Sequence, residues 1–420
     1  MFSQGLSLDQ APPFSVILRF FLTIPLFMFL VSLAIFGMDL HGLAYWDSPK
    51  MVAIVHLLLL GVVGMAMVGA LFQMLPVLAG ASMKEPLFHA RWIHLVMFIG
   101  TLLLTMAFYF EKFELLHPAM ALLLGSLSFI VVLMLFKLLS IDNKTPSVIG
   151  MIISLNGLGF GLLFAVLVTL TFMGVDVGFL PSDLRTIHMH FMLFGWITVL
   201  IMAVAFQVIE MFYVTPSYPY IIRKWFPLIL LTLLVVQFPF YIISESMVHI
   251  FDMLIGMVLF TFAVVTLRRL SQRKRPVADT TVWLWRTGLF ALMVAVVLVA
   301  VMTVVDHPLL LDSAALLFGY FIISIVFAMS YKIVPFLVWF HLNAKGVLEC
   351  PMMGDIIPSQ YTQWHLWLHW LLLVSLFGAL LFPLLWKVTA LIFLMESLLY
   401  GRNLFGATKI YYTLKDKGML

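Results

Sequence analysis

Residues 185–196 read RTIHMHFMLFGW, and they set two histidines, His188 and His190, at the start of a long apolar run. From His190 the chain continues HFMLFGWITVLIMAVAFQVIE (190–210), and two other segments resemble it: HLLLLGVVGMAMVGALFQMLP (56–76) and AALLFGYFIISIVFAMSYKIV (314–334). Aligned without gaps, His56, His190 and Ala314 share the first position. Gly61, Gly195 and Gly319 share the sixth, and Gln73, Gln207 and Tyr331 the eighteenth. Each copy lies in an apolar run long enough to cross ~30 Å of hydrocarbon.

Such runs recur along the whole chain, at roughly 15–37, 51–79, 92–110, 118–140, 148–174, 187–212, 226–243, 247–267, 282–305, 309–341, 364–385 and 387–408. The chain is 64% hydrophobic and 10% charged, with mean hydropathy +1.14; that excludes a soluble enzyme. The net charge of +4 carries no argument for nucleic acid in so apolar a sequence. The three similar segments fall in the second, sixth and tenth runs, four helices apart each time. This predicts an all-α integral membrane protein, a single polytopic domain over residues 1–420. Its twelve transmembrane helices would form three four-helix arcs with pseudo-threefold symmetry, the repeats centred on 51–79, 187–212 and 309–341.

The opening MFSQGLSLDQAPP is polar and the first apolar run is too long for a cleavable signal core, so that run reads as a span that stays. Apart from Lys50, Lys112, Arg185 and Lys387, the basic residues fall in or near the loops and helix ends of one side, most densely in RRLSQRKRP (268–276). By the positive-inside rule both termini are expected in the cytoplasm, with the chain multi-pass in a bacterial inner membrane and the lipid bilayer its partner. The single cysteine, Cys350, leaves no disulfide within the chain and no iron–sulfur cluster held by its own thiolates. No C-x-x-C-H is present for covalent haem, so any metal would be held mainly by histidine.

His56 lies about five residues into the second helix, and His188 and His190 start the sixth. A lone histidine near a helix end is ordinarily a hydrogen-bonding residue. Two at equivalent repeat positions, His56 and His190, point instead to cofactor ligation, because neutral imidazole is a common metal ligand and ionisable groups inside spans are functional candidates. At about 100° per residue, His188 and His190 point about 200° apart and so address different sites. His56 with either one can hold a haem iron from both sides; the other can serve a second, five-coordinate haem. One haem b, or two, is the expected cofactor. Gly61 and Gly195 would admit a neighbouring helix or a flat cofactor.

Other residues are weaker candidates. His365 and His369 in WHLWLHW are spaced i, i+4, which suits a metal pair, but Trp364, Trp367 and Trp370 around them read equally as an aromatic belt. His249 starts the eighth helix and is a further metal candidate. His117 and His307 precede prolines in outer loops, and His41, His89, His94 and His341 read as interface residues. Glu396 falls near the middle of the twelfth helix, where an unpaired charge is expensive. It is expected to be protonated, to pair with Lys332 or Arg402, or to form part of a proton path. Asp252 and Asp312 read as helix caps.

Twelve helices, cytoplasmic termini, a helix-two histidine, an H-x-H and threefold repetition together resemble the catalytic subunit of haem–copper oxidases. HLLLLGVVGMAMVGALFQMLP and HMHFMLFGW look closer to the smaller oxidase-like proteins of the NnrS (nitric-oxide-response) type. The resemblance implies that His56 and His190 ligate a low-spin haem and His188 a second one. It also implies electron transfer, nitric oxide binding or reduction, copper, and a quinol or cytochrome donor. The departures are concrete. The H-x-H stands in helix six and not ten, Ala314 occupies the helix-ten position, and VLAG replaces the Trp-Thr-Gly that follows the helix-two proline in the NnrS type. No adjacent His-His pair occurs, so two of the copper ligands the resemblance calls for are missing, and no His and Tyr stand at the cross-link spacing; both departures count against dioxygen reduction and proton pumping. The competing reading is a twelve-helix transporter for a metal or haem, which calls for polar groups near the midplane, where Glu396 and Asn156 stand.

Overall fold

Five of the spans open on a proline in their first turn, where its missing N–H would have had no helical partner and its fixed φ suits the helix. The computed structural model describes residues 11–38, 48–275, 277–347 and 349–416; His41 lies outside the described residues. It is 83% helical and, among the described residues, has no strand. Twelve helices are long and apolar enough to cross a membrane: α1 Phe14–Gly37, α2 Pro49–Val77, α3 Pro86–Tyr109, α4 Phe113–Leu139, α5 Pro146–Phe172 and α6 Pro181–Tyr213, followed by α7 Tyr220–Ile243, α8 Glu245–Ser271, α9 Thr280–Met302, α10 Pro308–Asn343, α11 Ser359–Leu381 and α12 Leu385–Lys415.

The spans match the expected ones in number and order, but several start earlier, because the first turns are polar. α6 gains PSDLRT, so His188 and His190 lie two turns inside the helix and do not mark its start. Ser48 and Thr145 cap α2 and α5 by accepting the backbone N–H of Met51 and Val148. His307 caps α10 in the same way, accepting from Leu309 N.

Consecutive helices pack against one another, and α12 returns to pack on α1 and α10. Burial separates inner from outer helices: 67% of the apolar window of α2 and 72% of that of α6 is buried, against 22% for α7. Residues of α2 (Ala66, Ala70), α6 (Leu200, Val204) and α10 (Ile325, Met329) line one apolar cavity of about 70 Å³. With lipid as apolar as the helices themselves, close packing needs small residues. The α5–α6 seam shows this. A Cβ on Gly150 would lie 2.6 Å from that of Ala203, and one on Gly157 would lie 2.1 Å from the Gly195 carbonyl oxygen. Ser154 Oγ donates to Trp196 O at 3.0 Å on the same seam.

Where α6 ends, Lys332 of α10 is buried and ion-paired to Asp279, the N-cap of α9, at 2.5 Å. Burial alone would raise the Asp279 carboxyl, but the Lys332 ammonium and hydrogen bonds from Lys332, Thr281 and Val282 N outweigh it and hold the group below the usual carboxylate range. Asp279→Asn should cost roughly 2 kcal/mol, below the 3–5 of a fully buried pair because Asp279 is half exposed. A depressed folded-state pKa stabilises above the unfolded value near 3.9 and is lost as pH falls through the folded one. The difference in unfolding midpoint between wild type and Asp279→Asn, followed in detergent, should therefore shrink on acidification below about pH 4.

Candidate functional site

The first two repeat copies share a departure from α-helix that the third lacks. His56 is the last residue before a π-helical stretch, Leu57–Gly64, and His190 the last before another, Phe191–Thr198. In the gap-free alignment these stretches coincide residue for residue. Inside the second, Thr198 Oγ1 donates to Leu193 O, five residues back, at 2.7 Å. α10, with Ala314 in place of the histidine, is α-helical throughout. π-Turns inside helices are frequent at functional sites, and here they follow the histidine in both repeat copies that carry one.

The pairing of the three histidines differs from the expectation. His56 lies beside His188, not His190: the two rings are 6.4 Å apart between centroids and within 11° of parallel. His56 Nδ1 donates to Val52 O at 2.8 Å, one turn back on α2, and His188 Nδ1 donates to Gly161 O at 2.9 Å on α5. A carbonyl can only accept, so each neutral ring carries its proton on Nδ1 and presents the Nε2 lone pair. Phe108 of α3 lies parallel to the far side of His56, with centroids 6.5 Å apart.

His190 turns the other way, as the 200° offset requires. Its Nδ1 lies 3.4 Å from Gln237 Oε1, 3.3 Å from Tyr241 OH and 4.0 Å from Asp252 Oδ1. Gln237 in turn donates to Asp252 Oδ1 at 2.7 Å and Val248 O at 3.1 Å. Asp252 is therefore no cap; it ties α8 to α7 and steadies His190. His249, exposed at 63%, approaches Asp252 and Glu245 only at 3.9 and 4.0 Å. Asn156 bonds to its own helix at Ile152 O.

The two repeat glycines serve packing. A Cβ on Gly61 would meet the Phe27 ring at 2.4 Å, and Gly195 backs directly onto Gly157. Neither leaves a slot for a flat cofactor.

The second cluster joins α10, α11 and α12. His365 and His369 are fully buried, while Trp364 and Trp367 (55% and 63% exposed) form the aromatic surface. His369 Nδ1 lies 3.0 Å from Glu396 Oε1, and its Nε2 lies 2.8 Å from Ser324 Oγ. His365 Nδ1 lies 2.9 Å from the Tyr331 hydroxyl, which accepts from Asn403 Nδ2 at 2.9 Å. Glu396 thus pairs with neither expected cation: Lys332 is held by Asp279, and Arg402 stacks on Tyr361. Among the described residues, no three His, Cys, Asp or Glu side chains are grouped to hold a metal ion, so His249, His365 and His369 form no such site.

No protein-family model matches the chain, and no curated protein matches it.

Proposed function

We propose that this chain is a haem-binding membrane protein built on an oxidase-like plan, in which His56 and His188 hold a b-type haem. The observation that carries the reading is the parallel imidazole pair. The two rings stand 6.4 Å apart between centroids, one on α2 and one on α6, so His56 and His188 would be the two nitrogen donors that hold the haem iron. Both carry Nδ1–H to a backbone carbonyl, the usual orienting contact for a ligating histidine. Haem bound there would supply one-electron chemistry, while the chain fixes the ring orientations and sets Phe108 beside His56. His190, steadied through Gln237 and Asp252, is the ligand available to a second haem or to a haem that binds nitric oxide. A quinol or a cytochrome is the donor class this reading calls for. The convergence of α2, α6 and α10 on one cavity supports three arcs about a pseudo-threefold axis.

The test is a reduced-minus-oxidised optical spectrum with a pyridine haemochrome assay on the purified protein. A stoichiometric b-type signal is expected, and a colourless preparation ends the reading. Carbon monoxide or nitric oxide added to the reduced protein then shows whether a coordination position is open.

A second reading, a transporter for a metal or haem, draws on a different observation. The Glu396–His369 and His365–Tyr331 pairs put ionisable groups deep in the bundle, where a transporter needs them. A colourless protein would favour it.

A further inference from the structure

The α10–α12 cluster has no part in holding haem on His56 and His188, and its hydrogen bonds constrain its protons. Ser324 Oγ donates to Tyr320 O at 2.7 Å, so its oxygen accepts from His369 Nε2–H. The remaining contact, His369 Nδ1 to Glu396 Oε1 at 3.0 Å, then requires one more proton. That proton sits on Glu396 as a carboxylic acid or on His369 as imidazolium; either way the pair is neutral and holds one shared proton. The same logic applies to His365. The Tyr331 oxygen accepts from Asn403, so its hydroxyl proton points to His365 Nδ1 and the ring carries its own proton on Nε2.

Among the described residues, the buried polar atoms without a bond include four of this cluster: Glu396 Oε2, His365 Nε2 and the hydroxyls of Tyr320 and Tyr400. Glu396 Oε2 is an acceptor and His365 Nε2 a donor, both on fully buried side chains. Each costs ~1–3 kcal/mol unpaired, so together they favour a small molecule with both functions, which is water or hydronium. His369 is the eleventh residue of α11, about 15 Å along it, which puts the pair near mid-membrane. Tyr320 stacks on His369 at 4.2 Å, and Tyr400 stacks on His365 at 5.7 Å, so both rings are held in place.

We infer that Glu396 and His369, extended by His365 and Tyr331, form a membrane-embedded proton-binding site that exchanges protons with water at Glu396 Oε2 and His365 Nε2. Uptake adds one proton, leaving Glu396 a carboxylic acid beside a His369 imidazolium. Release of the shared proton to water through Glu396 Oε2 leaves a carboxylate beside neutral His369, which keeps its Nε2 proton donated to Ser324 Oγ. No electron moves in either step. The groups facing the pair are Tyr320 and Tyr331 from α10, His365 from α11 and Tyr400 from α12. The cations on neighbouring helices are engaged elsewhere: Lys332 by Asp279, Arg19 of α1 at Ser15 O and Arg286 of α9 over Trp283. No cation pins Glu396 in its charged form.

Infrared difference spectra of the full-length protein in lipid bilayers, acid minus alkaline so that both uptake and release are spanned, test this. A protonated-carboxyl C=O band that shifts in D2O is expected, lost in Glu396→Gln. Ser324→Ala should move the pH at which the band appears by at least about one unit, a tenfold change in proton affinity. A band unchanged in Glu396→Gln overturns the inference, since Glu396 would then keep one protonation state throughout. Should Glu396→Gln fail to assemble, Ser324→Ala decides alone, and an unmoved titration overturns it. A purely structural polar contact would lower thermal stability without moving that titration. The band is read whether or not haem is bound, so this result and the haem spectrum stand or fall separately.

Discussion

If His56 and His188 hold the proposed haem, His56→Ala and His188→Ala should each abolish its low-spin spectrum in the purified protein, while His190→Ala leaves it in place. The reason is the geometry of three rings. His56 and His188 stand parallel at 6.4 Å with Nδ1 tied to main-chain carbonyls, whereas His190 is tied into α7 and α8 on the opposite side of α6. With both imidazoles as its nitrogen donors, a haem bound there would lose one of its two protein ligands in either variant. The low-spin signal therefore disappears outright, beyond the 10–100-fold weakening expected of a mere supporting contact. His190→Ala should instead affect any second haem or the binding of carbon monoxide. The opposite outcome, with His188→Ala spectrally silent and His190→Ala losing the low-spin band, would restore the pairing that the sequence repeat implies. Optical spectra of the three variants, matched for protein and haem content, separate the two.

The repeat was readable because composition leaves few polar residues, and a histidine five positions before a glycine stands out twice among leucines. It linked His56 to His190 of α6, whereas the ring beside His56 is that of His188 on the same helix. It could not see which of His188 and His190 lies beside His56, because both histidine-bearing copies contain a π-helical stretch that no residue pattern announces, and ring direction depends on which carbonyl each Nδ1 reaches. Hydropathy placed all twelve spans but trimmed their polar first turns, as at Pro181–Thr186. It also read His365 and His369 together with the tryptophans beside them. Only the fold shows that the histidine stripe of α11 faces Glu396 while Trp364 and Trp367 face outward. An i, i+4 histidine pair offset from the tryptophans, opposite an acid in the middle of the next span, was the available signal. Asp252 misled for the opposite reason: a carboxylate near a helix start reads as a cap, and its partner Gln237 lies on another helix.

Gly157→Ala should be the most damaging single-methyl change in the chain. The added Cβ would lie 2.1 Å from Gly195 O and 2.3 Å from its carbonyl carbon, backbone that cannot rotate away, so α5 and α6 must separate. Overpacking of side chains costs 1–3 kcal/mol and occasionally more; with main chain as the obstacle, the loss should exceed about 3 kcal/mol. Gly61→Ala meets the Phe27 ring at 2.4 Å, and Phe27 is itself fully buried, so it should cost about 2 kcal/mol. Gly319, at the same repeat position, has nothing within 4 Å of its would-be Cβ. Gly319→Ala should be neutral or stabilise by up to about 1 kcal/mol through helix propensity. Unfolding midpoints in one detergent should therefore rank Gly319→Ala, wild type, Gly61→Ala and Gly157→Ala from most to least stable. A Gly157→Ala protein as stable as wild type would mean that the α5–α6 contact is looser than described. The same substitution carries a functional consequence, because Gly161, one turn along α5, supplies the carbonyl that orients His188. Pushing α5 away withdraws that carbonyl and frees the ring. If His188 holds the proposed haem, any Gly157→Ala protein that still folds should bind it weakly, whereas Gly61→Ala, which presses on α1, should lose stability first.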